Sequence, residues 1–252
     1  MDNPNKKHEP FSSTMSLGDH LEELRWRIIL ALTGLVVGTV FCLLFGTQII
    51  AFIQHPYNNN ELVSGRPLTA LAPADAFLGY MKVSLLAGLI VSSPWVFYQI
   101  WMFIAAGLYP REKRYIHLAV PFSAVLFVAG ALFFLFVVAP ISITFFLKFG
   151  QIIKVAPNWT FQKYISFITV LMLVFGIAFQ TPIAIFFLNK TSLVSIQALC
   201  KSRKYVLLGV FIVAAVATPP DVISQVTLAV PLYLLFELGI LLSRLANRSN
   251  RE

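Results

Sequence analysis

Four long stretches without a charged residue constrain this chain of 252 residues more than any other feature. They comprise positions 28–60, 83–110, 115–147 and 164–189, with lengths of 33, 28, 33 and 26 residues. A helix needs about 20 apolar residues to cross the hydrocarbon layer of a bilayer, because that layer is about 30 Å thick and a helix rises about 1.5 Å per residue. The sequence therefore predicts one membrane-spanning helix in each stretch.

A further apolar region runs from Tyr205 to Ser243 and is interrupted by Thr218, two prolines and Asp221. Two consecutive prolines stop a helix. Each half has only about 15–20 residues, and the shorter half would reach about 24 Å, which is less than the hydrocarbon thickness. We therefore predict a hairpin of two short helices, five and six, and six spans in total.

The composition agrees with a protein that lies mostly in lipid. The chain is 58% hydrophobic and 12% charged, with a mean hydropathy of +0.79, whereas a soluble domain is about 25% charged. This excludes an ordinary soluble enzyme, a disordered chain and a small secreted scaffold. We predict an all-α membrane protein with a single integral membrane domain, made of an N-terminal tail at 1–15, a six-span core at 16–243 and a C-terminal tail at 244–252.

The distribution of lysine and arginine predicts the orientation. With the N-terminus inside and six spans, 14 of the 19 basic residues fall on the cytoplasmic side and 5 on the outer side, mainly in loops at about 54–75 and 141–163. A five-span chain would give 11 against 8. Because basic residues collect on the cytoplasmic side of spans, six spans with both termini cytoplasmic are favoured. The net charge of +8 is then explained by orientation rather than by nucleic-acid binding.

The segment before the first span carries an unusual set of charged residues. Ser16 and Asp19 have the spacing of a capping box, which predicts a helix that starts near Ser16. His20, Glu23 and Arg27 then share one helical face. Two interpretations stay open. Glu23 pairs with Arg27 at i, i+4, or its carboxylate is presented to a cationic partner at the membrane surface.

Few ionisable or amide side chains fall within the predicted spans. Glu237 lies in span six, Asp221 at the tip of the hairpin, Gln180 in span four and Gln225 near the outer end of span six. A carboxylate at mid-bilayer costs about 2.5–3.5 kcal/mol on insertion scales, so such a residue tends to face protein or a cavity. The amides of Gln180 and Gln225 could instead form hydrogen bonds between helices, which contribute about 0.6 kcal/mol each.

Catalytic and metal-binding motifs are missing from the sequence. It contains no GxxxxGK[ST] and no HExxH, and no pair of aspartates lies in the middle of the spans. Cys42 and Cys200 lie in different surroundings and lack metal-site spacing. The sequence predicts a protein that binds, holds or passes a partner, without catalysis, cofactor or metal.

Five blocks of sequence, in order and at matching spacing, resemble the TatC family, the multispan receptor subunit of the twin-arginine protein translocase. The blocks are 20–25 (HLEELR), 93–103 (with SP, YQIW and Phe103), 108–114 (with LY and EKR), 175–182 (with FG, Phe179 and Pro182) and 218–225 (TPPDVISQ), followed by Pro231 and Phe236-Glu237. The resemblance covers about 16–244, almost the whole chain.

This resemblance implies six helices cupped like a hand and both termini in the cytoplasm. The membrane is a bacterial inner membrane or that of an organelle, and the absence of a transit peptide from the sequence favours the bacterial inner membrane. It implies that the protein recognises signal peptides with consecutive arginines and helps move folded proteins using the proton-motive force. Glu23 and Glu112 match the family acids that receive the two arginines, and Phe103 matches the aromatic residue beside them. The guanidinium offers a planar donor fork to carboxylates, so two acids could distinguish Arg-Arg from Lys-Lys.

The resemblance also implies partners. The family's single-span proteins TatA and TatB dock around helices five and six, near Thr218 and Gln225, and self-association in a receptor complex is expected. Glu237 matches a family acid and is a candidate buried polar site. Gln180 stands where the family often has a glutamate, so a proton-binding role at this position is in doubt whereas hydrogen bonding between helices is retained.

The sequence gives less support to two other function classes. A small-solute secondary transporter would use Asp221 and Glu237 as its polar route, but it predicts inverted repeats, and none is evident in the sequence. An intramembrane enzyme would need a nucleophile and base or a metal set, and the sequence offers neither.

Overall fold

The computed structural model describes residues 17–63, 67–107, 116–191, 193–217 and 222–249. These ranges contain nine α-helices and no extended sheet, which confirms the all-α prediction. The helices are α1 (Leu17–Leu44), α2 (Gly46–Asn58), α3 (Asp75–Ala106), α4 (Ile116–Phe133), α5 (Ala139–Ile152), α6 (Phe161–Ala178), α7 (Thr181–Lys190), α8 (Ile196–Ala217) and α9 (Val222–Ser249).

Five helical stretches of the described residues are long and apolar enough to cross a membrane. They are His20–Leu44, Asp75–Ala106, Ile116–Ile152, Phe161–Lys190 and Gln225–Ala246. Helix α8 has 22 residues, but Lys201, Arg203 and Lys204 lie in its N-terminal half, which leaves only 205–217 as its apolar part. Helices α8 and α9 are therefore longer than the short helices predicted for the hairpin, because each extends beyond its apolar segment. The count of six spans stays a prediction.

Two of the spans contain a proline-associated irregularity. Pro140 follows a π-helical turn, Phe134–Val138, which joins α4 to α5. Pro182 is the second residue of α7, which follows the break at Phe179 and Gln180. Proline removes one helical N–H and crowds the preceding turn, so a local widening or break is the expected response. In both cases the two helices together make one membrane span.

The second predicted outer loop was too wide. Helix α5 continues to Ile152 and α6 begins at Phe161, so the second loop is much shorter than 141–163. Lys82 also lies on a helix, two turns after the start of α3, although its charge placed it outside the span. Lysine is a good helix former and its long stem carries the ammonium towards water. A charge-free stretch therefore underestimates the length of a spanning helix.

Helix α1 packs mainly along α3, and the two helices run very close at two glycines. A Cβ added to Gly38 would lie 2.7 Å from the carbonyl oxygen of Gly88, and one added to Gly88 would lie 2.6 Å from Cα of Thr39. Small residues allow this close approach of backbones in membranes. The antiparallel pair places the N-terminal end of α1 beside the C-terminal end of α3, where the candidate site lies.

Candidate functional site

The carboxylate of Glu23 and the guanidinium of Arg27 form an ion pair on the first turns of α1. Nε of Arg27 lies 2.7 Å from Oε1 of Glu23, and the two side chains are 22% and 30% exposed, respectively. Residues four apart on a helix are neighbours, so this pairing follows from local spacing. The i, i+4 pairing is therefore confirmed, and the presentation of the carboxylate to a cationic partner stays a prediction. Oε2 of Glu23 accepts no hydrogen bond from the residues that the structure describes.

Arg27 is also tied to α3. Its Nη1 donates a hydrogen bond to Oε1 of Gln99 at 3.0 Å, and Gln99 is only 1% exposed. Because a guanidinium presents several donors in a fixed plane, these two bonds hold the plane of Arg27 and, through it, one oxygen of Glu23. The sequence analysis assigned no role to Gln99. Its amide within an otherwise apolar segment is the signal that could have identified it as a contact between helices.

Phe103 lies one turn beyond Gln99 on α3 and stacks on His20 of α1. The ring centroids are 4.6 Å apart and the planes differ by 27°. Phe103 is half-buried. Helical spacing therefore places Glu23 and Phe103, which the resemblance assigned to one site, at the same end of the α1–α3 pair. His20 is an additional member of this cluster.

A groove of about 230 Å³ opens beside this cluster. Glu23 and Arg27 line one side, and the ends of α3 and α4 complete it with Met102, Ala105, Ala106, Ile116 and His117. Glu112 lies in 108–115, outside the described residues, so the predicted pairing of Glu23 with Glu112 stays a prediction. The described part of the groove combines one ion-paired carboxylate with an apolar floor.

Gln180 connects two spans through a hydrogen bond, as the amide interpretation predicted. Its Nε2 donates to the backbone oxygen of Ser123 on α4 at 2.9 Å. The hydroxyl of Ser123 accepts a hydrogen bond of 2.8 Å from Nε1 of Trp101 on α3. The ring of Trp101 in turn meets Phe187 of α7 at a centroid distance of 4.8 Å. Gln180 thus belongs to a series of contacts that connects α3, α4 and the α6–α7 span.

The hairpin of α8 and α9 contains the remaining predicted polar residues. Gln225 donates from Nε2 to the backbone oxygen of Phe211 at 2.9 Å and so joins the two helices. Oε2 of Glu237 accepts a 2.7 Å bond from Nη2 of Arg203, and Oε1 accepts a 3.0 Å bond from the hydroxyl of Tyr233. Sequence reasoning took Arg203 only as an orientation signal and missed this pairing.

The ion pair of Glu237 and Arg203 borders a groove of about 260 Å³ that also includes Arg244. Glu237 therefore faces protein and a cavity, as expected for an acid in a span. Thr218 and Asp221 lie outside the described residues, and their predicted roles stay predictions. Among the described residues, no group of three histidine, cysteine, aspartate or glutamate side chains is placed to hold a metal ion.

Comparison with known proteins gives one consistent result. The family model for Sec-independent protein translocase protein (TatC) matches residues 19–231. The TatC protein of Carboxydothermus hydrogenoformans is 39% identical over 238 residues, which covers 91% of this chain and 93% of that protein. The TatC protein of Escherichia coli K12 is 35% identical over 246 residues, covering 95% and 93%.

Solved structures agree with the sequence comparisons. A crystal structure described as the twin arginine translocase receptor TatC superposes with a TM-score of 0.80 at 35% identity, and the match covers 90% of this chain and 99% of that one. A second crystal structure of the receptor, in the detergent DDM, gives a TM-score of 0.81 at 34% identity. The likeness therefore extends over nearly the whole helical fold.

Proposed function

The chain belongs to the TatC family of Sec-independent protein translocase proteins, and from this premise we propose that it is the receptor that binds twin-arginine signal peptides. It is an integral membrane protein and a core component of the twin-arginine translocase. In the proposed role it lies in the bacterial inner membrane with both termini cytoplasmic, performs no catalysis and moves folded proteins with single-span partners at the expense of the proton-motive force. The comparisons do not support a small-solute transporter.

The observation that carries this proposal is the arrangement of Glu23 beside the groove. Arg27 engages Oε1 of Glu23, while Oε2 is unengaged by the described residues. An arriving guanidinium can therefore bind Oε2 without breaking the existing ion pair. Phe103 adds an aromatic ring to the same cluster through its stack with His20. Guanidinium groups stack on aromatic rings, and we propose that the arginine pair contacts this ring.

The local charge explains why a second acid is needed. The positive charge of Arg27 offsets that of Glu23, so this pair alone has little net attraction for a basic peptide. Ile116 and His117 line the groove, and Glu112 precedes Ile116 by only four positions in the sequence. We propose that Glu112 supplies a second carboxylate for the arginine pair, and that Glu23, oriented by Arg27 and Gln99, supplies the directional contact.

Binding of an Arg-Arg signal peptide to the full-length protein in nanodiscs tests this assignment. Glu112→Gln and Glu23→Gln should each weaken binding at least tenfold, because a charge-assisted guanidinium–carboxylate bond contributes about 1.5–3 kcal/mol. Glu22→Gln is the matched control, since Glu22 precedes Glu23 on α1 and is exposed. It should bind as wild type does.

Two further measurements sharpen the test. A Lys-Lys peptide should bind wild type weakly, and its affinity should change little in Glu23→Gln, because an ammonium lacks the planar fork that the carboxylate recognises. Export of a folded reporter with a twin-arginine signal, in cells lacking the endogenous protein, should fall in parallel with binding. Wild-type binding and export in both the Glu23 and Glu112 variants would refute the site.

We also propose that the outer face of α8 receives the single-span partners TatA and TatB. Ile212 and Val216 on this face are 56% and 85% exposed, and an apolar groove of about 420 Å³ runs between α6, α8 and α9. Disulfide cross-linking tests the surface. A cysteine at Ile212 should capture TatB efficiently, whereas a cysteine at Val37, 69% exposed on α1, should not. Equal capture at both positions would argue against docking on α8.

A further inference from the structure

An elongated groove between α1, α3 and α6 takes no part in the proposed signal-peptide site. It encloses about 360 Å³ and is lined by α3 side chains between positions 82 and 89, α6 side chains between 166 and 173, and Leu35 of α1. Along α3 it begins roughly 25 Å from Gln99, at about 1.5 Å per residue. The groove therefore starts near the end of the helices that lies opposite to Glu23.

The groove is polar at one end and apolar at the other. Nζ of Lys82 donates a hydrogen bond to Oγ of Ser166 at 2.8 Å. Lys82 lies two turns after the start of α3, and Ser166 lies in the second turn of α6. Leu89 and Leu173, two turns further into the spans, line the other end together with Leu35. This gradient matches the order of a phospholipid, with its headgroup at the interface and its acyl chain towards the bilayer centre.

The polar end carries positive charge that no described carboxylate offsets. Lys82 is exposed and forms no ion pair with a described acid. Lys163 precedes Ser166 by one helical turn and adds a second cation on the same side of α6. A lysine stem lies along apolar surface while the ammonium reaches the headgroup region. The complementary ligand group is an anion at the level of the membrane interface.

We propose that this groove binds one anionic phospholipid. Its phosphate is held by the ammonium of Lys82 and the hydroxyl of Ser166, and one acyl chain lies along the leucines of α3 and the facing side chains of α6. The site is separate from the signal-peptide groove, so it does not depend on the proposed receptor function and can be tested without transport.

Native mass spectrometry of the purified full-length protein, with phosphatidylglycerol and phosphatidylcholine of identical acyl chains in competition, tests the headgroup contact. Wild type should retain phosphatidylglycerol preferentially. Lys82→Gln should lower that preference about fivefold, because a single basic residue near an anionic headgroup contributes about this factor. Lys82→Arg keeps the charge and should retain the preference. The proposal is wrong if wild type shows no preference or if Lys82→Gln leaves it unchanged.

A second pair of variants tests the acyl chain. Leu89→Trp places a large ring in the groove and should reduce retention of phosphatidylglycerol. Val91→Trp is the matched control, because Val91 is 55% exposed on the same helix and does not line the groove. Equal lipid retention in the two variants would contradict burial of the chain.

A third measurement needs no substitution and so avoids any effect on folding. Phosphatidylglycerol with a diazirine on its acyl chain is photo-cross-linked to wild-type protein in nanodiscs, and the labelled peptides are mapped by mass spectrometry. Labels should be enriched at 85–89 and 170–173 over the outward face around Val91. Labelling without this enrichment would overturn the proposed site.

Discussion

Substitution of Gly88 by alanine should separate α1 from α3 and destabilise the protein. The new Cβ would lie 2.6 Å from Cα and N of Thr39, whereas non-bonded carbon atoms normally rest about 3.5–4.0 Å apart. Two of the three atoms in the way belong to the backbone of Thr39, so rotation of the Thr39 side chain cannot relieve the clash. The helices must move apart by about 1 Å, and overpacking of this kind costs about 1–3 kcal/mol.

Thermal unfolding of the purified full-length protein in detergent measures this effect. A loss of 1 kcal/mol corresponds to about 2–4 °C for a chain of this size, so Tm should fall by about 2–12 °C. Gly209→Ala is the matched control, because a Cβ at Gly209 meets no atom within 4 Å. Alanine there should leave Tm unchanged or raise it, since glycine costs a helix about 1 kcal/mol relative to alanine.

The same substitution should also weaken signal-peptide binding, because α1 carries Glu23 and α3 carries Phe103. A shift of about 1 Å between the helices exceeds the roughly 0.5 Å tolerance of a built binding site. If Gly88→Ala melts at the wild-type temperature, or if both glycine variants lose the same amount, the close contact does not determine how α1 is held and the reasoning fails.

Further substitutions test the polar contacts between helices. Gln180→Leu removes the donor to the backbone oxygen of Ser123 and should lower the free energy of unfolding by about 0.6–1.7 kcal/mol. Gln180→Glu should lose more stability in alkaline buffer and recover it in mildly acidic buffer, because only the protonated acid can donate to that oxygen. A stability of Gln180→Glu that is independent of pH would contradict this geometry. A double-mutant cycle of Glu237→Gln and Arg203→Gln should give a coupling of about 1 kcal/mol in the free energy of unfolding, because the pair is too exposed to be as strong as a buried ion pair. Additive effects of the two substitutions would mean that the 2.7 Å contact contributes nothing to stability.

The membrane spans could be predicted from the sequence because the transfer of about 20 apolar residues is a large, additive signal. The ends of the helices could not be predicted equally well. Lys82 and Lys148 both lie on spanning helices, although their charges marked span boundaries in the sequence. A lysine reaches water along its own side chain, so its charge reports where the ammonium lies and not where the helix ends.

The candidate site divides in the same way into local and long-range parts. The pairing of Glu23 with Arg27 follows from helical spacing alone and was among the predicted alternatives. The bond from Arg27 to Gln99 and the stacking of His20 on Phe103 join α1 to α3, residues far apart in the sequence. Such contacts depend on how the two helices are rotated and shifted relative to each other, and local patterns in a single sequence do not reveal this.

The rotation and shift of α1 are determined by contacts along the whole length of α3. The Tyr80 hydroxyl donates to the backbone oxygen of Leu43 near one end, and Nε1 of Trp95 donates to that of Leu30 at 2.8 Å closer to the other. The two glycine contacts lie between them. Lipid chains are as apolar as the helix surface, so burial of apolar area does not hold helices together in a membrane. The position of Glu23 therefore depends on these few close packing and polar contacts, and variants that weaken them should impair signal-peptide binding even though they lie far from the carboxylate.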